Sequence, residues 1–159
     1  MINDRFKIDI ATEDGVQKVF LRGNIDEDAD FESIKKITGA IVINFKDVKS
    51  INSCGIRTWV NFLKDITGRQ VVYEECPPII VRQMNMVPSF LGTAKVTSVY
   101  VPYVSDETDE EKLVLFGADK FTAAGFTLPE TIDGDGDGGE MELDGNPQQY
   151  FAFTKKMAA

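Results

Sequence analysis

The chain has 159 residues, 43% of them hydrophobic, enough for one sizeable core with room for a small appended module. It has two cysteines and no histidine, which excludes a multi-bridge disulfide framework and any catalytic triad built on histidine. Its net charge is −9 and unevenly placed: residues 1–104 carry 13 acidic and 13 basic side chains, residues 105–159 carry 13 and 4.

That shift predicts a domain over 1–104 followed by an acidic β-rich appendix over 105–159. An acidic surface repels phosphate backbones, so nucleic acid is not an expected partner. No run of about 18 apolar residues is present, so no membrane span is expected. The opening MINDRFKIDI has no apolar signal region, and the few cysteines fit a reducing compartment; a cytoplasmic protein is expected.

Phe6 to Ile10 alternates apolar and polar residues and predicts a half-buried strand. Asp14-Gly15 is a hairpin turn signal, and Val16 to Leu21 is the return strand. Asn24 to Asp30 is an acidic loop. Phe31, Ile34 and Ile37 recur at three-residue spacing and predict a short helix capped by Asp30 and ending at Gly39. Ile41-Val42-Ile43 is a buried strand, and Lys49 to Gly55 a polar hinge. Ile56, Trp59, Val60, Leu63 and Ile66 then form one apolar stripe of a helix stopped near Gly68. Asn52 and Ser53 stand at that helix start. Either side chain can accept a backbone N–H that has no partner within the helix, and a serine there is either a cap or a chemical handle.

Val71-Val72-Tyr73 is a further strand. Cys76-Pro77-Pro78 leads into a helix through Val87, since proline suits the first helical positions. Lys95 to Val104 reads as a final strand. Helices alternating with strands predict an α/β layer, helices packed on a mixed sheet. In the appendix, Lys112 to Phe116 and Lys120 to Thr122 are strand candidates, and Glu140 to Leu143 with Tyr150 to Thr154 a second strand pair.

The run Ile51-Asn52-Ser53-Cys54-Gly55-Ile56 after a strand and before an amphipathic helix resembles the STAS domain of bacterial anti-sigma factor antagonists. Gly23-Asn24-Ile25-Asp26 resembles that family's Gly-x-hydrophobic-Asp turn, and the order of elements over residues 5–104 agrees. The resemblance implies a STAS-like fold and a partner-switching protein. Its partner would be an anti-sigma factor that is also a serine kinase, and the phosphorylated residue would be Ser53. The implied partner-binding face comprises Asn24, Asp26, Asn52, Ser53, Cys54, Gly55 and Arg57. The chain departs from the family's Asp-Ser-x-Gly motif by carrying Asn52 before the serine.

Cys54 lies near a helix start, which invites a redox or nucleophile reading, but no histidine can activate it. No enzyme and no Cys54–Cys76 disulfide is expected. Ser105, Thr108, Gly134 and Asp137 stand where a zinc ribbon, which the appendix resembles, carries its cysteines; none is a thiol or imidazole, so no zinc is expected. Asp133, Asp135, Asp137, Gly139 and Asp144 match the twelve-residue calcium loop, with Gly138 at its sixth position. Calcium is therefore the one cofactor candidate, against a solvated acidic turn.

Three roles stay open on these grounds. The first is a regulatory protein-binding module switched at Ser53. The second is a constitutive scaffold or adaptor without phosphorylation, and the third a calcium-responsive module working through residues 133–144.

Overall fold

The structure is a computed structural model that describes residues 5–105, 107–122, 125–126, 128–129, 131–133 and 140–154. β1 (Lys7–Glu13) and β2 (Val16–Ile25) form an antiparallel hairpin, in register from Lys7 opposite Arg22 to Glu13 opposite Val16. Asp14 and Gly15 turn it with φ of 52° and 80°, the left-handed pair that an Asp-Gly turn adopts at low steric cost. β1 has one neighbour only, so most of its side chains are exposed rather than half-buried.

α1 (Glu32–Lys35) leads to β3 (Ile41–Ile51), and α2 (Ser53–Asp65) leads on to β4 (Val71–Glu74). α3 (Pro78–Met86) and α4 (Pro88–Leu91) then lead to β5 (Lys95–Val96). β2 to β5 run parallel, and the five strands lie in chain order. The class is mixed α/β with a mixed sheet, as the alternation of patterns predicts. No helix among the described residues is long and apolar enough to cross a membrane.

Three local readings are corrected. α1 is one turn long, not a helix to Gly39; Asp30 still accepts the Glu32 N–H at 2.9 Å. β3 runs through Lys49 and Ser50 to Ile51, where a polar hinge is predicted, because this stretch finds backbone partners on β2. The buried line of α2 is Gly55, Trp59 and Phe62, continued by Ile66, while Ile56, Val60 and Leu63 sit at its margin.

One aromatic cluster joins the helices to the sheet. Trp59 lies 4.9 Å from Phe31, 5.6 Å from Phe45 and 5.9 Å from Phe90, centroid to centroid. Its indole N–H donates to the Tyr73 hydroxyl at 3.1 Å, and that hydroxyl donates to the Phe90 carbonyl at 2.7 Å. Burying both polar tips therefore leaves neither unpaired.

The second sheet begins earlier than the charge shift. The stretch Lys95 to Val104 divides at Thr97, and β6 (Ser98–Val104) pairs with β7 (Glu111–Gly117) rather than with the first sheet. β8 (Phe121–Thr122) and β9 (Gly125–Phe126) form a short hairpin. β10 (Thr131–Asp133) and β11 (Glu140–Leu143) complete an antiparallel sheet in the order β10-β11-β6-β7. Cys76 bridges the two sheets: its N–H donates to the Ser98 carbonyl at 3.2 Å, and its carbonyl accepts from Tyr100 at 2.8 Å.

Residues 150–154, predicted as a strand, are not one. Asn146 caps α5 (Pro147–Tyr150), its side chain accepting the Gln148 N–H at 2.8 Å, with Pro147 at the first helical position. Asn85 of α3 anchors the end of this helix and the turn beyond it. Its amide donates to the Gln149 and Tyr150 carbonyls, and its oxygen accepts the Phe153 N–H at 2.8 Å. Phe121, Phe151 and Phe153 extend the same continuous core.

All four tyrosines are held above the ordinary phenol value of 10.0. Burial is the first cause at each; it pushes Tyr100 to about 12, with the charge of Glu75 adding to it. A folded-state value above the unfolded one means the folded chain holds the proton more tightly. The resulting stability is complete below pH 10 and drains away as pH rises through the folded values. Spectrophotometric titration of the folded protein is expected to give less tyrosinate at pH 10 than four free phenols would, the remainder appearing at higher pH. A normal phenol titrating at pH 10 in the folded protein would contradict this packing.

Candidate functional site

The ends of β2 and β3 create the site. β3 carries extra residues relative to β2, at register shifts between Phe20 and Arg22 and between Gly23 and Asn24. Gly23 takes the positive φ of 82° at the second shift. The outcome sets Asn24 opposite Ser50 and Ile25 opposite Ile51. The Ser50 hydroxyl donates to Asn24 Oδ1 at 2.7 Å, and the Asn52 N–H donates to the Ile25 carbonyl at 3.1 Å.

Asn52, not Ser53, is the N-cap of α2. Its Oδ1 accepts the Gly55 N–H at 2.8 Å, and its amide donates to Glu27 Oε2 at 3.3 Å. A cap of this kind stabilises by about 1 kcal/mol. Ser53 is left at the first helical position, exposed, and its hydroxyl has no hydrogen-bond partner among the described residues. The N–H groups of Ser53 and Cys54 have no acceptor within the helix, so the mouth of α2 is electropositive beside that hydroxyl. Arg57, one turn further along, is exposed and forms no ion pair among the described residues.

The predicted face is thus largely brought together. Asn52, Ser53, Cys54 and Arg57 are exposed, and Asn24 and Asp26 are half-buried beside them. Asp26 is occupied locally: its carboxylate accepts the Asp28 N–H at 3.0 Å, which shapes the loop after β2. Gly55 is buried against Ile25, so it shapes the site rather than presenting a surface. Cys54 and Cys76 are both free thiols, one exposed and one fully buried. Burial pushes the Cys76 thiol well up, away from the reactive thiolate.

Glu27 belongs to the site although no sequence motif marks it. Its own backbone N–H, then the Asn52 amide, hold its carboxyl below the ordinary value. Its only sequence signal is membership of the acidic loop 24–30, and nothing local says which acid meets Asn52.

The appendix sites are less fully described. Ser105 is buried, and its hydroxyl accepts the N–H groups of Glu107 and Thr108 at 3.3 Å each, which holds a tight turn. Thr108 lies in that turn, whereas Gly134 and Asp137 lie outside the described residues. The same holds for Asp135, Asp137 and Gly139 of the calcium pattern, while Asp133 ends β10 and Asp144 is exposed after β11. Among the described residues, no group of three or more His, Cys, Asp or Glu side chains is arranged to hold a metal ion.

Fold and site together define a mixed α/β protein that presents a polar strand-to-helix mouth. A scan against models of known protein families finds no match, and a search of curated proteins finds no relative.

Proposed function

We propose that the protein is a non-enzymatic regulatory binding module, similar to the STAS domains of anti-sigma factor antagonists, switched by phosphorylation of Ser53. The observation that carries this reading is the division of labour at the mouth of α2. Asn52 supplies the cap, so the Ser53 hydroxyl stays exposed without a partner among the described residues. A residue needed only as a cap would have been engaged.

A phosphate on Ser53 would lie beside unpartnered N–H groups and one helical turn from Arg57, so the fold tolerates it. It would add nearly two negative charges to the face formed by Asn24, Asp26, Asn52, Cys54 and Arg57. A partner docked there, an anti-sigma factor with serine-kinase activity, would then be expelled by like charge and by the hydration of the phosphate. The family's aspartate before the serine is Asn52 in this chain, and here Asn52 is what caps the helix.

One observation favours the second reading, a constitutive adaptor. Glu27 is held ionised at the Asn52 amide and opposes a phosphate placed nearby. The experiment separates the two. Intact-mass spectrometry after co-expression with the partner kinase should give an adduct of about 80 Da, one phosphoryl group, in the native chain and none in Ser53→Ala. Ser53→Asp should weaken partner capture by roughly tenfold or more. Partner affinity unchanged in Ser53→Asp, with no adduct, would leave the adaptor.

A further inference from the structure

A strand at the rim of a sheet exposes alternate backbone N–H and C=O groups and can pair with another chain, so proteins shorten, charge or cover such rims. The two larger sheets offer four rims among the described residues: β1, β5, β7 and β10. Three are blunted. β1 carries Lys7, Asp9 and Glu13, with Asp9 paired to Arg22 at 3.1 Å, while β5 and β10 have two and three residues. β7 is seven residues long, and its centre, Leu113-Val114-Leu115-Phe116, has neither charge nor proline.

The side chains of β7 are divided between its two faces. Val114 and Phe116 pack against the core, whereas Leu113 and Leu115 are 42% and 44% exposed. Only two other large apolar residues among those described are as exposed, Ile10 and Met86. Met86 lines the same groove of about 940 Å3 as Leu113. Among the described residues, three of the four exposed large apolar side chains thus lie on or beside this rim, and Ile10 lies on β1. β7 stands last in its sheet, its ladder running to β6 on one side.

The occupant can be read from the strand itself, because its pattern is self-complementary. Turned antiparallel about Val114, a second β7 sets Leu113 opposite Leu115 in both directions and Val114 opposite itself. Lys112 then faces Phe116 and Glu111 faces Gly117, so no two like charges meet across the pair. Such a two-fold contact is closed: it consumes both rims and leaves no template for further growth. A shift by one residue would turn the leucines to the wrong face.

We infer that the protein forms a two-fold homodimer by antiparallel pairing of β7 with β7 of a second copy, which joins the two four-stranded sheets into one. The docking mouth of α2 contributes no residue to this contact, so each protomer keeps its own site and the dimer is bivalent towards a partner.

The full chain examined by sedimentation velocity over a dilution series is the test. A monomer–dimer equilibrium is expected, with Leu113→Lys/Leu115→Lys weakening dimerisation by about a hundredfold or more, since apolar pairs become like-charge pairs. Both positions are exposed, and an unchanged circular dichroism spectrum verifies that the variant folds. Register is read separately in a Cys54→Ser background. Leu113→Cys mixed with Leu115→Cys should form a covalent dimer on mild oxidation, while Leu113→Cys alone should not. A monomer at every concentration, a dimer indifferent to the two lysines, or equal cross-linking in both samples would overturn the inference.

Discussion

Gly55→Ala is expected to destabilise the protein by about 3 kcal/mol or more, the upper end of what overpacking costs. A methyl group at residue 55 would stand 2.2 Å from the Ile25 carbonyl oxygen and 2.6 Å from its carbon. Those atoms cannot give way cheaply, because β2 is fixed by its pairing and the same carbonyl accepts the Asn52 N–H at 3.1 Å. The helix would have to lift, taking Trp59 and Phe62 out of the core and the Asn52–Ser53 mouth away from Asn24 and Glu27. In an exposed helix the same substitution would stabilise by about 1 kcal/mol, so the sign of the change is decisive. Urea unfolding measures it, with Ser53→Ala as the comparison, expected within about 0.5 kcal/mol of the native chain. A Gly55→Ala protein as stable as the native one would mean that α2 is not seated on β2.

The second large effect is expected at Trp59, the single tryptophan, which is fully buried. Trp59→Ala should cost about 3–5 kcal/mol, through lost burial and the cavity left among Phe31, Phe45, Phe62 and Phe90. Trp59→Phe keeps most of the ring contact but removes the donor to Tyr73, so a smaller loss of about 1–3 kcal/mol is expected. Unfolding followed by far-ultraviolet circular dichroism reads both, since each variant lacks the native fluorophore. Equal losses in the two variants would mean that the indole hydrogen bond, rather than ring packing, dominates at this position.

Both residues illustrate how far a linear pattern reaches. Trp59 is legible from helical spacing alone, but Gly55 is not. A glycine in a helix start looks like a weak helix former until the strand it touches is known, and that strand lies 30 residues earlier in the chain. The cap is similar. The identity of Asn52 and Ser53 announces a helix start, yet either could have capped it. Asn52 does so because its N–H is drawn to the Ile25 carbonyl, which fixes the side chain over the first turn. Glu27 enters the site through the same strand-end contact.

The division of Lys95 to Val104 has the same origin. Lys95 and Val96 pair with β4, but beyond Thr97 the chain meets Cys76 and then β7, so one run of β-favouring residues serves two sheets. The strand expected at 150–154 fails for a different reason. Asn146-Pro147 is a helix start signal within the sequence, but the aromatic residues after it suggest β structure more strongly than the cap suggests a helix.

By itself, the sequence determined the Asp14-Gly15 hairpin, the Pro-Pro start of α3, the alternation that makes an α/β layer and the presence of a capping pair at residues 52 and 53. Each rests on preferences of φ, periodicity or capping that act within a few residues of their cause. Only the tertiary structure decided which sheet β6 joins, why residue 55 has to be glycine, which of two polar side chains caps α2 and that β7 stands last in its sheet with Leu113 and Leu115 exposed. Those outcomes depend on hydrogen-bond partners and buried surfaces contributed by residues distant in the chain, and no short-range preference encodes them.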